Sequence, residues 1–329
     1  MKFQGTEIPP LGMGCWPIGG AMFSGNVSLG YTNANDEDSI RTIHAALDHG
    51  ILLFDTAAAY GAGHAERLLA RGLKNRCDAK IISKIGIAID EETKQLTFGD
   101  TTPDRVIPAI DQCLRRLERD RIDMMLLHDN ALPIAQAELV FDEMEKARQM
   151  GKIDAFGWST DFSVSAKAVA QRPGFDAVEH AMNVFIDAPR IQQVVRDTGK
   201  IALIRSPLAM GVLSGKYRTG THIPSGDIRA GSNLAVDYFI NGQANPDFIT
   251  KLDAVRELLT TGGRSLVQGS IAWLWAKGQM NIPIPGARNV AQIEGIAGAL
   301  AFGPLPDDVM AQIENLMPQV PSEVPERAL

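Results

Sequence analysis

The sequence predicts an α/β protein built as a (β/α)8, or TIM, barrel. Three observations carry this. Eight short apolar runs alternate with longer stretches of helical period. Several of these runs are apolar throughout, as strands covered on both faces are. Five of them end in a polar or ionisable residue: Asp55, Lys84, His128, Ser159 and Arg205. In a barrel of parallel strands, residues at those ends converge on one mouth.

The predicted strands are 11–15, 52–56, 80–85, 122–128, 153–159, 177–181, 201–205 and 281–284. The first helix, 36–48, opens on acidic residues and stops at Gly50, the pattern of a helix with a glycine C-terminal signal. The helix at 103–118 has proline in its first turn and carries Leu114 and Leu117 on an apolar face. The next, 135–150, ends at Gly151. Further helices are expected at 163–171, 189–198, 247–259, 265–277, 290–300 and 307–316. Two connections, 86–102 and the Gly-rich 207–246, are long enough to act as lids or clamps, and both follow strands, on the active-site face. No composition break marks a linker, so residues 1–329 are expected to form a single barrel domain, with a proline-containing tail from about 318 to 329.

The chain has 329 residues, of which 45% are hydrophobic, enough for a large core. The formal charge of −7 comes without a basic stripe, which argues against nucleic acid. It does not exclude an anionic cofactor, because phosphate binding is local. Three cysteines, Cys15, Cys77 and Cys113, are odd in number and widely spaced, against a disulfide framework or a cysteine zinc site and in favour of a reducing cytoplasm. The start "MKFQGTEIPP" lacks an apolar signal region and no membrane-length apolar run occurs, so no membrane is expected. His44 and His49, five apart on a helix, do not share a face for a metal, and no metal site is expected. Trp158 is expected in the core, and Trp273 and Trp275, which sit in a helix, are expected to be packing residues.

The stretch "LLFDTAAAYGAGHAERLL" holds the chemistry. A tyrosine has a pKa of about 10 and is a poor acid at neutral pH. A nearby ammonium lowers that by roughly 1–3 units. Lys84, at the end of the next strand, could reach Tyr60, and Asp55 could hold Lys84 charged through a charge-assisted hydrogen bond. His128, one strand further, could donate to a carbonyl oxygen. Three alanines and Gly61 let the chain turn sharply and return Tyr60 over the mouth. Taken singly, Asp55 also reads as a strand-end cap, Tyr60 as a core aromatic, Lys84 as a solvated charge and His128 as an interior histidine.

The motifs "FDTAAAYGAGHAE", "ISKIG", "LLHDN", "GWST", "RSPLAMGVLSGKY" and "IPIPGARNVAQI" follow in that order. Over about Gly12 to Leu300 the chain resembles the aldo-keto reductase superfamily. The resemblance implies a barrel that binds NADPH without a Rossmann fold, in agreement with the lack of a complete G-x-G-x-x-G at a strand–helix turn. It implies that Tyr60 is the general acid in carbonyl reduction and the base in reverse, tuned by Lys84, with Asp55 supporting Lys84 and His128 orienting the carbonyl. It implies that Ser159 holds the nicotinamide amide, and that Ser206, Leu208 and Lys216 cover the pyrophosphate. Gly286, Arg288 and Gln292 then surround the adenosine phosphate. Arg288 favours NADP(H), with NAD(H) the weaker alternative.

Four positions depart from the family pattern. Thr160 replaces a frequent Asn, and Ile296 replaces an Asn that contacts adenine. Glu179 replaces the Gln that binds the amide; it could hold the amide or serve as a salt-bridge or helix-cap residue. Arg205 replaces a stacking aromatic; it could stack on the ring or pair with an acid across the mouth. Trp16 could line the substrate pocket or plug the barrel end. The implied function is NADP(H)-dependent reduction of aldehydes or ketones, with a small carbonyl or alcohol as partner. The alternatives are a sugar or secondary-alcohol dehydrogenase, or a cofactor-sensing auxiliary subunit.

Overall fold

Eight parallel strands hydrogen-bond in sequence order and curl until the first meets the last. They are β1 (Gly12–Gly14), β2 (Leu53–Asp55), β3 (Lys80–Ile85), β4 (Ile122–Leu127), β5 (Ile153–Ser159), β6 (Phe175–Ala181), β7 (Ile201–Arg205) and β8 (Asn281–Pro283). The seam is a parallel bridge between Gly14 and Gly286, with Gly14 N–H donating to the Pro285 carbonyl at 3.0 Å. The backbones approach so closely there that a Cβ on Gly14 would lie 2.6 Å from the Ile284 carbonyl oxygen. This computed structural model describes residues 1–231 and 237–317. The expected tail at 318–329, and residues 232–236 of the second long connection, lie outside the described residues.

The helices are α1 (Asp36–Asp48), α2 (His64–Gly72), α3 (Pro103–Leu117), α4 (Ile134–Gln149), α5 (Ser163–Val169), α6 (Pro189–Thr198), α7 (Pro246–Leu259), α8 (Leu266–Lys277), α9 (Val290–Ala297) and α10 (Asp307–Leu316). Local chemistry sets their ends. Asn35 caps α1 by accepting from the Asp38 N–H at 3.0 Å, and Ser265 and Gln268 form a reciprocal capping box on α8. The helix expected at 290–300 stops at Ala297 and tightens into a 3₁₀ turn over Gly298–Ala301. Among the described residues no helix is long and apolar enough to cross a membrane.

Two cores result. One lies between sheet and helices, where Phe141, Phe156, Phe175 and Trp158 pack edge-to-face or stacked at 5.6–6.3 Å. The other fills the barrel with Leu53, Ile82, Met124, Leu126, Leu203 and Ile282. Its lower end is closed by Phe3, on an N-terminal hairpin of Lys2–Phe3 and Thr6–Glu7. The hairpin, and not Trp16, is therefore the plug. Trp273 is buried in the outer core and Trp275 packs against it, with its indole N–H donating to the Pro10 carbonyl at 2.7 Å.

Both long connections contain structure that the sequence pattern did not show. Within 86–102, strands Ile87–Asp90 and Gln95–Phe98 form a hairpin. Phe23–Ser24 and Val27–Ser28 extend it into a four-stranded sheet over the mouth. Within 207–246 there are 3₁₀ turns at Ala209–Ser214 and Ile228–Ala230, and a hairpin of Phe239–Ile240 with Gln243–Ala244.

A polar cluster crosses the outer core. His180 on β6 lies 3.1 Å from the Gln192 amide nitrogen, which donates to Asn281 on β8 at 2.9 Å. Burial pushes the His180 pKa down to about 4. The unfolded chain, with an ordinary histidine pKa near 6.5, binds more protons between those values. The contribution of this group is therefore complete above about pH 6.5 and is lost as pH falls toward 4. Urea unfolding at several pH values should show stability declining over this window, with a shallower decline in His180→Gln.

Candidate active site

The turn after β2 does what the small residues allow. Tyr60 N–H donates to the Ala57 carbonyl at 3.0 Å and Gly63 N–H to the Ala58 carbonyl at 2.7 Å, while all three alanines are buried. Gly61 has φ +64°, and a Cβ there would lie 1.9 Å from the Gly19 carbonyl oxygen. Only glycine permits this approach. The Tyr60 ring then stacks on Trp16, with centroids 6.0 Å apart, and meets His128 edge-on at 6.0 Å.

Beneath the ring lies Lys84, fully buried on β3. Its ammonium donates to both Asp55 oxygens at 2.6 and 2.7 Å, to the Thr56 carbonyl at 3.0 Å and to the Tyr60 hydroxyl at 3.3 Å. Glu179 on β6 places Oε2 3.2 Å from the same nitrogen. That oxygen nevertheless has no hydrogen-bond partner, because the three ammonium hydrogens already have acceptors. Glu179 Oε1 accepts from the Ser159 hydroxyl at 3.1 Å. The salt-bridge alternative for Glu179 is thus realised.

The electrostatics amend one expectation. Burial holds the Tyr60 hydroxyl well above its ordinary pKa. Lys84 pulls it down, Asp55 and Glu179 push it up, and the net direction is upward. The expected lowering is one contribution, outweighed by desolvation. Lys84 remains ammonium, because its two carboxylates and Tyr60 offset the effect of burial. Burial first and Glu179 next raise the Asp55 pKa well above its ordinary value, against the pull of Lys84. Burial, then Lys84 and Arg205, lower the His128 pKa to about 3, so its imidazole is neutral at physiological pH. His128 Nδ1 is buried without a partner, which leaves Nε2 as the nitrogen able to donate into the cavity.

A cavity of about 950 Å³ opens above this floor. Every other residue that the sequence singled out as a site candidate lines it: Trp16, Asp55, Tyr60, His128, Ser159, Glu179, Arg205, Ser206, Leu208, Lys216, Gly286, Arg288 and Gln292. Trp16 thus faces the pocket. Arg205 pairs with Asp161, which also accepts from the Ala181 N–H at 2.8 Å, so the structural alternative for Arg205 holds while the residue still borders the cavity. Thr160 is turned into the scaffold, donating to the Asn130 carbonyl at 2.7 Å. Ser206, Ala209 and Met210 all have positive φ, at 55°, 48° and 53°. Such strain concentrates at ligand clamps.

At the far end three cations line the cavity: Lys216, Arg229 and Arg288. Burial, then Arg229 and Arg288, lower the Lys216 pKa to about 8. Arg288 donates to the Thr32 carbonyl at 2.8 Å, and Gln292 caps the turn by accepting from the Arg288 N–H at 2.9 Å. Arg229, buried against Asp227 at 2.7 Å and the Tyr217 hydroxyl at 2.5 Å, was not foreseen. It belongs to the Gly-rich stretch noted as a clamp, but nothing in its spacing marks it. Asp161 was likewise missed as the acid for Arg205. At the near end Leu96 and Phe98 from the accessory sheet, and Met22 just before it, form an apolar rim. Mutually repelling cations at one end, unsatisfied polar atoms at the floor and a long cavity between them fit a phosphate-bearing dinucleotide.

The model of the Aldo/keto reductase family matches residues 10–318. The chain belongs to the aldo/keto reductase family. Among curated relatives, Aldo-keto reductase YhdN of Bacillus subtilis is 29% identical over 308 residues, covering 89% of this chain and 85% of the relative. A fission-yeast relative, Aldo-keto reductase yakc [NADP(+)] of Schizosaccharomyces pombe, is 27% identical and covers 91% and 86%. The solved glycerol dehydrogenase of Gluconobacter oxydans superposes with a TM-score of 0.78 at 27% identity, covering 96% of this chain and 95% of that one.

In this aldo/keto reductase the Gly61 turn positions the phenol. Gly61→Ala adds a left-handed backbone penalty and a steric clash, together about 2–4 kcal/mol. Denaturant unfolding should show that loss, with turnover falling further than stability alone explains.

Proposed function

We propose that this aldo/keto reductase is an NADP(H)-dependent oxidoreductase that interconverts aldehydes or ketones with alcohols. The observation that carries the proposal is the Tyr60 hydroxyl 3.3 Å from a buried ammonium, at the floor of the cavity beside neutral His128. Bound NADPH supplies the hydride from its nicotinamide ring.

The chain's own groups supply the rest. Tyr60 keeps its proton at neutral pH and donates it to the carbonyl oxygen as charge develops there. Lys84 stabilises the phenolate left behind, and Asp55 keeps Lys84 in place. His128 Nε2 donates a second hydrogen bond to the same oxygen. Ser159 and Glu179 would hold the carboxamide of the bound cofactor, Arg205, held by Asp161, would border its ring, and Lys216, Arg229 and Arg288 would hold its phosphates. Trp16 and Phe98 wall the substrate side and limit water. In the oxidative direction Tyr60 acts as base; the name of the Gluconobacter relative, a glycerol dehydrogenase, supports that direction. The name of the fission-yeast relative supports NADP over NAD. A purely cofactor-sensing subunit would not require an aligned Asp55, Lys84, Tyr60 and His128.

Tyr60→Phe keeps the ring and removes the proton. Its NADPH Kd, by fluorescence titration, should stay within about threefold of the parent, while turnover with a panel of carbonyls falls roughly 10²–10⁴-fold. Unchanged turnover would remove Tyr60 as the acid. Arg288→Ala should weaken NADPH about 10–100-fold and NADH much less, as expected for loss of charge-assisted hydrogen bonds to a 2′-phosphate. Equal losses for both would refute that contact.

A further inference from the structure

The floor of the cavity contains more negative charge than a supported lysine requires. Two carboxylates, Asp55 and Glu179, flank one ammonium, and all three side chains are at most 3% exposed. The ammonium has spent its hydrogens on Asp55, Thr56 and Tyr60. Glu179 Oε2 is therefore a buried acceptor with no donor, an arrangement that costs its full desolvation. Asp55 Oδ2 and Glu179 Oε2 lie 2.6 and 3.2 Å from the same ammonium nitrogen. One proton shared by this carboxylate pair removes the surplus negative charge and brings two carboxylates and one ammonium to neutrality.

We propose that Glu179 and Asp55 share one proton beside Lys84, and that an oxidised, positively charged nicotinamide ring in the cavity expels it from the pair to solvent while the neutral reduced ring leaves it in place. The inference rests on the proposed cofactor site. It makes Glu179 a positioning and selecting residue that tells the two redox forms of the cofactor apart by charge. With a glutamine at this position Asp55 alone balances Lys84, and no shared proton is needed.

The surrounding groups do not supply this proton. Tyr60 and the buried Cys15 thiol are held protonated above their ordinary ranges. Lys84 stays charged, and His128 is neutral down to about pH 3. Arg205 keeps its charge and pairs with Asp161. Lys216, at about 8, and the 2′-phosphate of the cofactor do titrate near neutrality, but they meet both cofactor forms alike. They cancel in the difference between NADP⁺ and NADPH.

The test is isothermal titration calorimetry of the whole protein with NADP⁺ and, separately, NADPH, at pH 6–8 in buffers of different ionisation enthalpy. In the wild type, NADP⁺ binding should release up to about one proton more than NADPH binding. Over the window where that proton leaves, the Kd ratio of NADP⁺ to NADPH should fall by as much as about tenfold per pH unit. Glu179→Gln, nearly isosteric, should abolish the excess release and flatten the ratio. Equal proton counts for the two forms in the wild type would overturn the inference, and that measurement needs no variant to fold. An excess release that persists in Glu179→Gln would also overturn it. A glutamate with only a packing role would change both Kd values together and leave the proton difference intact. Failure of either cofactor form to bind would overturn the proposed function and this inference with it, whereas binding of both without a proton difference would sink the inference alone.

Discussion

A charged lysine with no exposed surface organises the mouth of this barrel. Removing an ammonium from water costs several kcal/mol even after relaxation, and the cost is offset only if its hydrogens are all accepted and its charge is balanced. Asp55 on β2, the Thr56 carbonyl beside it, the Tyr60 hydroxyl on the following turn and Glu179 on β6 meet those demands. These groups come from opposite sides of the sheet. They meet only because the strands close into a ring, and closure in turn depends on the tight approach of Gly14 to the segment after β8. The seam and the ammonium are thus linked: one sets the curvature that brings the acceptors of the other together.

Around this rigid floor the loops divide the labour. The connection after β3 folds into strands that add to the chain near residues 23–28 and raise an apolar rim. The connection after β7 turns through left-handed residues and brings Lys216 and Arg229 toward Arg288. One end of the cavity is therefore oily and the other cationic, with the titratable groups between. Such polarity along one trench suits a ligand that is anionic at one end and reacts at the other. Desolvation is the common agent: it keeps Tyr60 protonated, His128 neutral and Lys216 easier to deprotonate, in each case by disfavouring the less solvated charge.

Much of the architecture could be read from the chain. The strands at 80–85, 153–159 and 201–205 and the helices at 36–48 and 189–198 have the expected bounds, because continuous apolar runs and capping residues are local signals. The strands over the mouth were not legible. They are two to four residues long, partly exposed and held by pairing across distant segments, so no period survives to mark them. The N-terminal hairpin that plugs the barrel escaped for the same reason. Asp55, Lys84, His128, Ser159 and Arg205 could be singled out because they sit at or beside strand ends, where a polar group after an apolar run stands out, whereas the candidates in the later loops came from the family resemblance. Arg229 and Asp161 sit in loops, where a charged residue is ordinary.

By itself, then, the sequence determined the alternation of strands and helices, the residue types at the barrel mouth and the family those motifs belong to, since each is written in contiguous residues. Tertiary structure alone decided how those groups act on one another. Whether Arg205 finds an acid, whether Glu179 is left with an unpaired oxygen, and which way the acidity of Tyr60 moves depend on burial and on distances between strands far apart in the chain. Charge and desolvation are properties of the assembled space, and no local stretch of residues contains them.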